Sequence, residues 1–98
     1  MKKLEQIIEW YPDEEFLSAD GFEEALIGVA YDKIKGTHVL VYSRTKCIEI
    51  LIERDKMSKE EAEEFFEFNV EGAYMGEKTP IYVDDFMLYE EKIIGFEG

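Results

Sequence analysis

The chain has 98 residues, room for one domain and one core. Hydrophobic residues make up 46% of it and aromatics 14%, which is enough apolar surface to exclude a disordered chain. With 24 acidic side chains against 11 basic ones the net charge is −13, a field that repels phosphate backbones and anionic lipid, so direct nucleic-acid or membrane binding is not expected.

Leu4, Ile7, Ile8 and Tyr11 are spaced as one helical face, and Pro12 ends that short amino-terminal helix. Asp13–Leu17 reads as a turn. Asp20 and Glu23 form a D-x-x-E start signal for a brief helix through Ala25 and Leu26. Ile27–Tyr31 and Thr37–Tyr42 are β-branched and aromatic runs on either side of a turn, the pattern of an antiparallel hairpin. Both faces of the second run are apolar, which predicts a central strand.

Cys47–Glu53 carries two periodicities. Ile48, Ile50 and Ile52 alternate as in a strand, while Cys47, Ile48, Leu51 and Ile52 form a helical stripe that Ser43 or Thr45 can cap. The helix is preferred. Ser58-Lys59-Glu60-Glu61 is a capping box, with Met57 placed to staple Ala62, and it opens the clearest helix. Its stripe runs Ala62, Phe65, Phe66, Asn69, Val70, Ala73, with Gly76 preferred over Gly72 as its end and Asn69 expected to pin the loop at 76–80. Thr79–Val83 predicts a third strand, and the apolar groups of 87–98 predict that part of the tail packs. The whole reads as an α+β domain: a small antiparallel sheet of about three strands, two central helices on one face, and the short amino-terminal helix.

Candidate chemistry is sparse. Cys47 is the one cysteine and His38 the one histidine, too few for a disulfide or a zinc site, so no cofactor or metal is expected. Folding without such staples suggests a reducing, cytoplasmic setting. Acidic residues follow Met1-Lys2-Lys3 where an export signal would need an apolar run, and no apolar stretch approaches the ~20 residues of a membrane span. A Cys47–His38 nucleophile pair lacks an orienting group and an oxyanion motif, so Cys47 reads as core. Gly76–Pro80 does not have the spacing of a phosphate loop, and the acids at 13–15 and 84–85 do not have that of a calcium loop. The chain reads as no enzyme.

Two surfaces stand out. Residues 32–57 hold six basic side chains against four acidic ones in an otherwise acidic chain. Within them Ser43, Arg44, Thr45 and Lys46 sit where a strand gives way to a helix, a combination of N–H groups, hydroxyls and cations able to hold a phosphate or carboxylate. Helix capping and internal neutralisation explain the same residues, and that reading is preferred. The second surface is the acidic helix from Ser58, with Glu60, Glu63, Glu64, Glu67 and Glu71 as candidate partner-binding charges; Tyr74 and Met75 join them, and with Phe86 and Met87 offer an exposed apolar patch.

Asp20-Gly21 with Ala25 and Gly28, then Cys47–Leu51, Met57-Ser58 with Glu60–Ala62, Phe68-Asn69 with Gly72–Tyr74, Gly76 and Thr79-Pro80 follow an order that resembles a group of short proteins encoded by tailed bacteriophages. The resemblance spans about residues 20–83 and implies an origin in phage, with action in the host cytoplasm, and no activity. Charge and resemblance together predict a non-enzymatic accessory protein that binds a host or phage protein with a basic surface. A small-ligand module built on Ser43–Lys46 and a nucleic-acid mimic are the alternatives, and homo-oligomerisation stays open.

Overall fold

A computed structural model describes residues 2–85. The expected packing of the tail, with Phe86 and Met87, lies outside the described residues. Helix α1 (Lys2–Trp10) ends just before Pro12 and presents Leu4 and Ile7 to the core, while Ile8 and Trp10 face outward. An irregular stretch then leads to a 3₁₀ turn (Glu23–Ala25). Asp20 caps nothing there: Gly21 adopts φ 89°, and the Glu23 carboxylate accepts its N–H at 3.0 Å. A left-handed residue before the turn breaks the geometry that a capping aspartate needs.

Strands β1 (Leu26–Asp32) and β2 (Thr37–Ser43) form the expected antiparallel hairpin, with a bulge between Leu26 and Gly28. The Asp32 carboxylate accepts the N–H groups of Ile34 and Lys35 at 2.9 and 3.2 Å, and Gly36 closes the turn at φ 68°. Such Asp and Gly roles are why these residue types recur in turns. Residues 44–55 resolve as helix α2 (Arg44–Asp55), whose first turn is capped by Ser43 Oγ accepting the Lys46 N–H at 3.1 Å.

Helix α3 (Lys59–Phe66) starts at the capping box: Ser58 Oγ accepts the Glu61 N–H at 3.1 Å, and Glu61 accepts the Ser58 N–H at 2.9 Å. Ser58→Ala leaves a helix-start donor without its partner and is expected to lower stability by about 1 kcal/mol, read as a lower urea midpoint at unchanged slope. The helix then widens into a π-helical segment (Glu67–Glu71) and ends at Gly72 rather than Gly76. Gly72 donates to the Glu67 carbonyl at 2.9 Å, and a Cβ there would stand 2.7 Å from that same oxygen, so a glycine is needed for close approach. Asn69 is exposed and donates to the Phe65 carbonyl at 3.2 Å; it does not pin the following loop. That loop is held by Thr79, whose hydroxyl accepts from Met75 N–H and donates to the Gly76 carbonyl, each at 2.7 Å.

The domain is α+β, a three-stranded sheet ordered β1-β2-β3 with β2 central, as its two apolar faces predict. The third strand, β3 (Ile81–Val83), pairs with β2 in parallel, so the sheet is mixed where a purely antiparallel one was expected. Its direction follows from the connection: the α2–α3 pair forms a crossover that returns the chain to the starting end of the sheet. Leu26, Leu40, Tyr42, Cys47, Leu51 and Phe66 are the largest fully buried side chains. The Tyr42 hydroxyl accepts the buried Ala19 N–H at 2.8 Å and so ties the irregular stretch to the core.

Candidate functional site

The strand-to-helix junction brings Ser43, Arg44, Thr45 and Lys46 together as expected, but Ser43, Arg44 and Lys46 are already engaged. Ser43 is buried in its capping role. The Arg44 guanidinium lies 5.6 Å from the Phe66 ring centre and reaches Glu67 at 2.8 Å, Glu71 at 3.4 Å and Asp84 at 3.9 Å. Lys46 stands 3.6 Å from Glu49, one turn along the same helix. An incoming anion would have to displace several carboxylates from Arg44. The junction therefore works as an ion-paired clasp between α2, the π-helical segment and the end of β3.

That clasp divides the carboxylates of the acidic helix. Glu67 and Glu71 turn toward Arg44, whereas Glu60, Glu63 and Glu64 form no ion pair among the described residues. Glu64 borders a shallow groove of about 340 Å³ lined also by Met57, Glu61, Phe65, Phe68 and Asn69. Phe65 is 39% and Phe68 80% exposed. Helical pitch puts Phe65 and Phe68 on one side of the carboxylates, three positions apart. Tyr74 and Met75 are exposed further along the chain, and Met75 lines separate hollows near Phe16 and near Tyr82. The outcome is a face on which unpaired carboxylates border aromatic rings.

Sequence reading missed a second polar cluster. Glu14 bridges His38 Nδ1 at 2.6 Å and Lys78 Nζ at 2.5 Å, and Lys78 also donates to the His38 carbonyl at 3.0 Å. The His38 ring sits between Tyr11 and Tyr31, with centroids 4.6 and 4.8 Å away. These residues are far apart in the chain and had no shared signal. The Lys78 and His38 contacts hold the Glu14 carboxyl at about 2, below the ordinary 4.5. A depressed carboxyl contributes stability that is present above about 4.5 and lost as pH falls toward about 2. Glu14→Gln is accordingly expected to lower the melting temperature near neutrality and to flatten its decline across that acid window. Parallel pH profiles for the two proteins would show that the cluster contributes nothing.

His38 is thus engaged with Glu14. Cys47 is fully buried, and desolvation pushes its thiol up to about 12, a poor nucleophile at neutral pH. The acids at 13–15 and 84–85 do not converge: Glu14 faces Lys78 and Asp84 faces Arg44. Among the described residues, no group of three or more His, Cys, Asp or Glu side chains is placed to hold a metal ion, and no helix is long and apolar enough to cross a membrane. The chain matches no family model, no curated protein and no solved structure.

Proposed function

We propose that this is a non-enzymatic accessory protein that binds another protein through the acidic-aromatic face of α3. The observation that carries the reading is that Glu64, unpaired among the described residues, lines one groove with the exposed rings of Phe65 and Phe68, with the unpaired Glu60 and Glu63 within about one turn of it. Aromatic side chains supply contact area at interfaces, and the surrounding charges select and steer the partner. The matching surface is basic, with an apolar side chain able to enter the groove beside Phe68.

The resemblance to short phage proteins supports a partner of host or phage origin and a place of action in the host cytoplasm. Nucleic-acid mimicry is less well supported. Two of the five carboxylates are neutralised by Arg44, and the remaining three span little more than one turn, about 6 Å of helix axis. A duplex carries about one charge per 1.7 Å over many turns. Affinity capture from bacterial lysate, run side by side with wild type and the Glu60→Gln, Glu63→Gln, Glu64→Gln protein, tests the proposal. A specific basic protein retained by wild type and lost by the triple variant supports it. Equal retention by both would move the binding face elsewhere.

A further inference from the structure

The opposite side of the molecule offers a different kind of surface. Strand β1 is an edge of the sheet, seven residues long, and it is uncharged from Leu26 to Tyr31. Proteins guard such edges with lysine, proline, very short strands or bulges, since an open ladder invites another strand. Among the described residues, the devices here are the bulge at Ile27 and helix α1, which packs beside the Ile27–Gly28 end and leaves Val29–Asp32 unguarded by lysine or proline. At the start of this strand the Lys3 ammonium donates to the Leu26 carbonyl at 3.0 Å. Between α1 and β1 runs a groove of about 260 Å³ lined by Ile7, Trp10, Ile27 and Gly28 among others, with no carboxylate in its lining. Trp10 is 80%, Ile27 45% and Tyr31 56% exposed around it.

We propose that a second copy of the chain pairs its β1 antiparallel to this β1, joining the two sheets across a two-fold axis near Val29. Two chains of net charge −13 repel over most of their surfaces, and among the described residues Leu26–Tyr31 and the groove beside it carry no carboxylate to oppose such a meeting. The pairing is also self-complementary, as a two-fold interface must be. Antiparallel register about Val29 sets Gly28 beside Ala30 of the second copy and brings the bulged Ile27 near its Tyr31, apolar against apolar. It brings Asp32 to the Leu26 end of the second copy's strand, where the Lys3 ammonium is held, so an Asp32–Lys3 attraction occurs twice. The hairpin lysines Lys33 and Lys35 then approach Glu23 and Glu24 of the second copy.

Sedimentation velocity across a concentration series reaching the millimolar range tests the pairing. Wild type is expected to move from a mass of 11.5 kDa toward twice that value. Ile27→Lys, a change at an exposed side chain, is expected to remain at the single-chain mass with an unchanged circular dichroism spectrum. Lys3→Glu, which places like charges together, is expected to raise the dissociation constant about tenfold or more, and it serves as the test if Ile27→Lys fails to fold. Ile34→Lys, at the hairpin tip and outside the paired segment, is expected to associate as wild type does. A wild-type chain that stays at 11.5 kDa throughout, or an edge variant that still doubles its mass as readily as wild type, overturns the proposal.

Discussion

Phe66→Ala is expected to lower the free energy of unfolding by roughly 3–5 kcal/mol, the usual cost of removing a fully buried phenyl ring. Phe66 has no exposed surface, meets Tyr82 edge-on at 5.2 Å, and lies beneath the Arg44 guanidinium. Its loss would open a cavity where α3, β3 and the ion-paired clasp converge. Strand β3 is only three residues long and is seated by Tyr82, so its pairing with β2 should loosen as well. A domain of this size is stable by about 5–15 kcal/mol, so the variant is expected to sit near its unfolding transition. Equilibrium urea unfolding followed by circular dichroism reads the change. Phe68→Ala is the control, since an 80% exposed ring should cost within about 0.5 kcal/mol. Equal midpoints for the two variants would contradict the packing of α3 on the sheet.

The parts of this fold that were legible in the sequence are those with local causes. Ser58 and Glu61 announce a helix start because both hydrogen bonds of the capping box close within four residues. The hairpin turn is similarly written into Asp32 and Gly36, and the central place of β2 into its two apolar faces. Residues 44–55 were ambiguous because their β-branched residues suit either period, and the Ser43 cap favours the helix. The direction of β3 was not legible, since it depends on where a two-helix connection returns the chain. The end of α3 was missed for a related reason: the π-helical widening at Glu67–Glu71 brings the Glu67 carbonyl onto Gly72, which no spacing rule foretells.

The candidate site was half legible. Charge spacing revealed an acidic helix and a cationic junction as separate features. Their pairing through Arg44 joins positions 23 and 27 residues apart and required the tertiary fold. Only then do Glu67 and Glu71 separate from Glu60, Glu63 and Glu64. Phe68 was not singled out as a contact residue, because it lies off the buried stripe and only its exposure gives it that meaning. The Glu14–Lys78 contact, spanning 64 positions, had no sequence signature at all.

The second large effect concerns association. Replacing Glu60, Glu63 and Glu64 with glutamine should slow binding to a basic partner by about an order of magnitude or more at low salt, since complementary fields raise on-rates 10–10³-fold. Glutamine is nearly as good a helix former as glutamate, so α3 should persist. Glu61 is left in place to keep the capping box, and Glu67 and Glu71 to keep the Arg44 clasp. Screening should weaken the wild-type advantage as the Debye length shortens from about 10 Å at 0.1 M salt to about 3 Å at 1 M. The most direct measurement is the association rate of wild type and triple variant with the captured partner across a salt series. A slower on-rate and a flatter salt dependence are expected for the variant, with the two proteins converging at high salt. Identical on-rates and identical slopes would contradict the proposal, and would show that the carboxylates of α3 are solvated surface charge with no part in recognition.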